Sequence, residues 1–419
     1  MPETVRDLPS WDVLRSMGTP SALTAEGMAA TCWALGLCEE MLGRSWPLRQ
    51  FRQQGWIPGE LVSYASARHG LPRLLAIACQ LDRFRHDDSL RKVVAGVRNR
   101  TVTDSGWRHL VLELEVARAG VEVGATVQFE PLIFGSPRSA DVELRVGDLV
   151  VYVETTSLTR ADMDKRQEQL ERRLSSQLDA ICLEHAVAMD AKLLIPASEE
   201  ASARWVKEIA QSAAFVAHTR SLFSASRGGI RVKITPDGGS TGVGSGLTSF
   251  TGALHPRNMW YRVQGVLRDK MRQTVGAEGA WIRMDALDGL FALTDWARAP
   301  MGERVAVIAD AVRACLIDGE HVDGVILSSG ASGHWTCSSD PRLHEEAQSG
   351  SAAILRRPVG PGLVRETVIV PLCQRAEAMA ALWLKAYDRE AAWLDADLAQ
   401  RGWVLDRMRI EPAPTTASP

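Results

Sequence analysis

Two carboxylates, Asp141 and Glu154, bracket the segment DVELRVGDLVVYVETTS at residues 141–157. Gly147-Asp148 is the strongest turn signal in it, and apolar residues alternate on either side, so it reads as two strands of a hairpin. Placing the turn there pairs 146 with 149, 144 with 151 and 141 with 154. Asp141, Tyr152, Glu154 and Thr156 then share one face, while Val142, Leu144, Val146, Val151 and Val153 share the other and turn to the core. Directly opposed carboxylates repel. A shared proton, a basic neighbour or a divalent metal must compensate. Two acids on rigid strands suit Mg²⁺, which takes one or two carboxylates plus water and phosphate oxygens.

Elements on both sides must hold that hairpin in place. DSGWRHLVLELEVARAG (104–120) reads as a helix closed by glycine, with Glu113 beside the stripe Leu110, Leu114 and Ala117. Glu115 can pair with Arg118 and reads as a surface residue. VEVGATVQFE alternates like a strand. After the hairpin, the charged helix RADMDKRQEQLERRLSSQLDAICLEHA carries an apolar stripe at 163, 170, 174, 178 and 181, and AKLLIPA is a short strand. A helix and the strand GIRVKITPDG follow. The order predicts an α/β fold with a mixed central sheet flanked by helices.

The plan of a helix glutamate, a strand, an aspartate, a hairpin and Glu-x-Lys resembles the PD-(D/E)XK nuclease superfamily over about residues 105–200. The resemblance implies a restriction-endonuclease-like core. It casts Glu113, Asp141 and Glu154 as carboxylates holding one or two ions, Mg²⁺ or Mn²⁺, that activate water and neutralise the phosphate of a phosphodiester. Two departures stand out. Ala140 precedes Asp141, with the nearest proline at 137, and Thr156 occupies the lysine position. Threonine has no positive charge. In this superfamily the lysine sometimes comes from a neighbouring element, and Lys165 is the lysine near the start of the next helix, sharing the role with Thr156. Lys270 and Gln273 in RDKMRQT could approach a substrate, but no spacing ties them to the site.

The 419 residues, 46% hydrophobic, are ample for a buried core and two or three domains. They read as a helical N-terminal region (1–103), the α/β core (104–235), a flexible Gly/Ser-rich loop (236–258), an α/β extension (259–372), C-terminal helices (373–410) and a disordered tail (411–419). The loop GGSTGVGSG lacks the Lys-Ser/Thr of a phosphate-binding P-loop. SSGASGHWTCSSD gathers Ser, His, Cys and Asp but has no nucleophile-elbow pattern and reads as a loop. Seven cysteines, odd in number and never in a CxxC pair, argue for reduced thiols and against a zinc site, and the nine histidines never fall at metal-ligand spacing. There is no secretory signal and no membrane span, which points to the cytoplasm. The Ala-, Arg- and Trp-rich, Lys-poor composition points to a GC-rich bacterial genome.

A net charge of -3 leaves polyanion binding to a local patch. Arg91, Lys92, Arg98 and Arg100 are the candidates for a nucleic-acid backbone, with neighbouring arginines at 83, 85 and 108. On the same residues they are a solvated helix face paired with Asp82, Asp87 and Asp88. By resemblance the chain hydrolyses phosphodiesters, DNA before RNA, in restriction or phage defence, with a protein partner or a second copy of itself as further company. The alternative is a catalytically inactive fold kept as a nucleic-acid-binding or scaffolding module.

Overall fold

The computed structural model describes residues 9–17, 23–64, 70–133, 138–158, 162–194, 197–236, 246–251, 259–286, 300–316, 319–329, 344–360 and 363–409. The chain divides into two compact units: residues 1–159 with 259–419, and residues 160–258. The second therefore takes in the later part of the span that reads from the sequence as one α/β core, together with the stretch expected to be a loop. The chain leaves the first unit just after the hairpin and re-enters it at a helix.

Unit one begins with six helices: α1 (Trp11–Ser16), α2 (Ala25–Leu42), α3 (Trp46–Gln54), α4 (Gly59–Val62), α5 (Gly70–Phe84) and α6 (Asp88–Asn99). Side-chain caps start several of them, as where Thr24 accepts from the Gly27 N–H and Asp87 from those of Ser89 and Leu90. α7 (Asp104–Glu122) follows, capped by Thr103. The sheet comes next, from β1 (Thr126–Phe129), β2 (Val142–Val146) and β3 (Leu149–Leu158).

β2 and β3 pair antiparallel with Val146 opposite Leu149, Leu144 opposite Val151 and Val142 opposite Val153. This is the register the Gly-Asp turn predicts, and Gly147 adopts φ 60°. Val142, Leu144, Val151 and Val153 are all buried in the core, against α7. At Gly120 of α7, a Cβ would lie 2.5 Å from Leu144, so glycine lets this helix approach β2 closely.

The unit's second segment adds α10 (Met259–Gln273), β8 (Ala280–Ala286), α11 (Met301–Cys315), β9 (Val322–Ser329), β10 (Glu346–Ser349), β11 (Ala352–Gly360), β12 (Leu363–Pro371), α12 (Glu377–Asp388) and α13 (Glu390–Gln400). The eight strands run β1-β2-β3-β8-β9-β12-β11-β10, with β3, β8 and β9 parallel and the other neighbours antiparallel. Side chains of β9 alternate between two cores: Ile326 packs on the face of α7 and α12, and Val325 and Leu327 on that of α10 and α11. The expectation of a mixed sheet flanked by helices holds at this level.

Unit two contains α8 (Asp162–His185), β4 (Val187–Leu193), α9 (Glu199–Thr219), β5 (Phe223–Arg227), β6 (Ile230–Pro236) and β7 (Gly246–Thr251). Its four strands run β5-β6-β4-β7, with both helices on one face through Leu174, Leu178, Trp205 and Ile209. β7 lies within the stretch expected to be flexible loop, and residues 237–245 and 252–258 lie outside the described residues. So do 330–343, with most of the Ser/His/Cys/Asp segment, and 410–419, with the tail expected at 411–419. No described helix is long and apolar enough to cross a membrane.

Candidate active site

β2 stops at Val142 while β3 continues, so the backbone N–H of Thr155 has no ladder partner on that side. Asp141 supplies one. Its Oδ2 accepts from the Thr155 N–H at 2.6 Å and from the Thr155 Oγ1 at 3.1 Å. The Asp141 carbonyl meanwhile accepts from the N–H of Glu130, a residue held at φ 45°. Asp141 is thus fixed by backbone at the point where two strands part.

Successive residues of β3 point to opposite faces. Thr155 faces α7, where its Oγ1 lies 3.0 Å from His109 Nδ1. His109 Nε2 lies 3.0 Å from Glu113 Oε1 and 3.4 Å from Asp141 Oδ1. Glu154 faces α10, where its Oε2 accepts from Lys270 Nζ at 3.0 Å, and the same ammonium is 4.0 Å from Asp141 Oδ2. One lysine therefore neutralises both acids, the basic neighbour that the opposed carboxylates require. The stripe Val263, Leu267 and Lys270 explains the placement: the first two bury against the sheet, and the third follows on the same side of the helix.

These groups shift each other's protonation. Burial alone would lower His109, but its hydrogen bonds to Asp141 and Glu113 outweigh burial and raise it to about 10. Burial raises Asp141, yet the His109 bond, the charges of His109 and Lys270 and the Thr155 N–H bring it below its usual range. Burial raises Glu113 against the pull of His109. Glu154 is raised to about 7 by burial and the charge of Asp141, against Lys270.

The chain matches no family model, no curated protein and no solved structure.

His109, Glu113 and Asp141 offer ligand atoms that all lie within 4.8 Å of one another. Glu113 is 3% exposed, and its Oε2 is buried with no hydrogen-bond partner. A buried carboxylate oxygen left unpaired is costly, and a cation would satisfy it. The residues present therefore fit a divalent metal, with one nitrogen and two carboxylate donors.

The positions singled out in the sequence divide accordingly. Glu113, Asp141 and Glu154 come together. Thr156 is half-buried on β3, on the Glu154 side, and the neighbouring Thr155 makes the bonds to Asp141. Lys165 lies in α8 of unit two, and its side chain is outside the described residues. His109 was legible as a partner of Glu113 through its i, i+4 spacing, a signal that a search for paired histidines passes over. Gln273 is exposed.

Glu115 corrects the surface reading. It is 6% exposed and takes Arg283 at 2.7 Å and Arg365 at 2.8 Å, which with burial opposing hold its carboxyl down at about 2. Arg118, its expected surface partner, is fully buried over the ring of Trp393. On α6, Leu90, Val94 and Val97 face the core, and Arg91, Lys92, Arg98 and neighbouring Arg100 are exposed. Arg91 pairs with Asp88, Arg85 with Asp82 and Arg83 with Glu122.

Proposed function

We propose that the chain is a divalent-metal-dependent phosphodiester hydrolase of the PD-(D/E)XK type, on a restriction-endonuclease-like core. The observation that carries this reading is Lys270. Its ammonium lies 3.0 Å from Glu154 and 4.0 Å from Asp141, supplying from α10 the charge that Thr156 lacks. An inactive scaffold has no need of a 15%-exposed lysine between two acids, because an apolar core tolerates neither the acids nor the cation cheaply.

His109, Glu113 and Asp141 would hold the metal. The nitrogen donor favours Mn²⁺ over Mg²⁺, which takes oxygen ligands. When bound there, a cation would supply a lowered pKa for its water and neutralising charge for the phosphate. Glu154, titrating near 7, is suited to accept a proton from an attacking water. Lys270 holds Glu154 in position and stabilises the negative charge that develops beside it. Thr155 fixes the Asp141 carboxylate through two hydrogen bonds. DNA is the proposed substrate ahead of RNA, in restriction or phage defence, and the exposed cations of α6 are candidate backbone contacts.

The test is cleavage of labelled single- and double-stranded DNA and RNA with Mn²⁺, Mg²⁺ or chelator, wild type beside Asp141→Asn. Metal-dependent cleavage lost in the variant supports the reading. Unaltered nucleic-acid binding with no cleavage of any substrate, in wild type and variant alike, supports the scaffold instead.

A further inference from the structure

The four-stranded sheet of unit two has a helix-covered face and an open one. On β4 and β6, Val187, Met189, Ala191, Leu193, Ile230, Val232 and Ile234 are buried under α8 and α9, and the small Ala188 between them is buried too. The intervening residues cross the open face in two rows set by the strand register. One row is Ser224, Lys233, Asp190 and Ser249; the other is Ser226, Arg231, Lys192 and Thr251. All eight are exposed.

Arg231 stands directly opposite Lys192 on neighbouring strands. Strands are about 4.8 Å apart, and like charges facing each other across a ladder destabilise it. Asp190, the one acid in the rows, accepts from Ser249 Oγ at 2.8 Å, and none of the three cations forms an ion pair with it or with another described residue. The face thus holds three cations to one acid, with hydroxyls at both ends of each row. Within these rows no side chain is aromatic or apolar.

We propose that this open face binds a nucleic-acid backbone through Lys192, Arg231 and Lys233, with Ser224, Ser226 and Thr251 donating to phosphate oxygens while the Ser249 hydroxyl stays on Asp190. Phosphate contacts draw on these residue types. The absence of an aromatic platform in the rows removes base stacking, so recognition is independent of sequence. An anionic membrane is the poorer match, because the two rows themselves carry no apolar side chain and the exposed Leu194 and Leu222 lie beyond them. The inference rests on the sheet alone and is separable from the metal centre.

The experiment uses the full chain and its triple variant Lys192→Glu, Arg231→Glu, Lys233→Glu, with a triple Gln variant as the gentler change. Fluorescence anisotropy of labelled single- and double-stranded oligonucleotides is measured over a salt series, with phosphatidylserine vesicles in parallel. Both variants are expected to bind more weakly, and the slope of log affinity against log salt should fall by about two to three, roughly one per lost contact. Cleavage by Lys270→Met and binding by the triple variants are read separately, so loss of cleavage and loss of binding report on different sites. Unchanged affinity and slope in both triple variants overturns the proposal, as does wild-type binding to vesicles in preference to oligonucleotides.

Discussion

Replacing Lys270 with methionine removes one charge and leaves two acids facing each other. At 3.0 Å the Lys270–Glu154 attraction is about 5.5 kcal/mol at an effective dielectric near 20. That figure overstates the loss of stability. Glu154 already titrates near 7 with the lysine in place. Without it the carboxyl rises further and stays protonated at neutral pH, which removes the repulsion with Asp141. The fold should therefore lose about 1–3 kcal/mol, the penalty of an imperfectly satisfied buried group, rather than the 3–5 of an uncompensated buried charge. Activity should fall much more, by about 10²–10⁴-fold, because a protonated Glu154 can no longer accept a proton from water. Lys270→Arg should retain part of the rate. Adding Thr156→Lys to the Lys270→Met variant should restore part of it too, since Thr156 sits on the Glu154 side of β3, about 6.7 Å further along. Single-turnover cleavage with Mn²⁺, alongside urea denaturation of each variant, provides both readouts. Wild-type cleavage by Lys270→Met would refute the assignment of the relocated lysine.

Other expectations follow from the same contacts. Saturating Mn²⁺ at about a hundredfold over its dissociation constant should stabilise the protein by about 2.7 kcal/mol. Calorimetry should show the rise in melting temperature disappear in Glu113→Gln. Burial raises Glu366, but its bonds from Arg304 at 2.8 and 3.0 Å and from Arg356 at 2.9 Å outweigh this and hold it below its ordinary value. Its contribution to stability is complete above the unfolded carboxylate pKa of about 4.3 and is lost as pH falls through the lower folded value, so Glu366→Gln should flatten the acid limb of urea midpoints against pH. Gly120→Ala places a Cβ 2.5 Å from the fully buried Leu144 and should destabilise by about 1–3 kcal/mol in urea while lowering activity, because α7 carries His109 and Glu113.

The hairpin was readable because its turn and its alternation specify the same register. α7 was readable from its stripe, although it runs two residues past the glycine expected to close it, to Glu122. β11 and β12 were not, since Arg357, Glu366 and Thr367 are buried there and the apolar alternation that marks a strand is interrupted by residues whose charges are paired internally. β7 hides in a stretch whose glycines and hydroxyls read as loop. Unit two escaped separation because α8 and β4 carry the same patterns as the elements before them, and sequence order alone does not tell which sheet a strand joins. Within the site, Lys270 was visible only as a residue with no spacing to tie it there and His109 was missed, yet each had a local signal. Lys270 continues a buried stripe where an apolar residue would be expected, and His109 stands one helical turn before Glu113. Partners 116 positions apart, as Lys270 and Glu154 are, become visible only when β3 and α10 pack together.

The most direct test is diffraction from crystals grown with Mn²⁺, measured for the metal's anomalous signal. The account predicts a peak bounded by His109, Glu113 and Asp141, with Lys270 on Glu154 beside it. A protein that cleaves nucleic acid under the same conditions but shows no peak there, or shows one held by other residues, would contradict it.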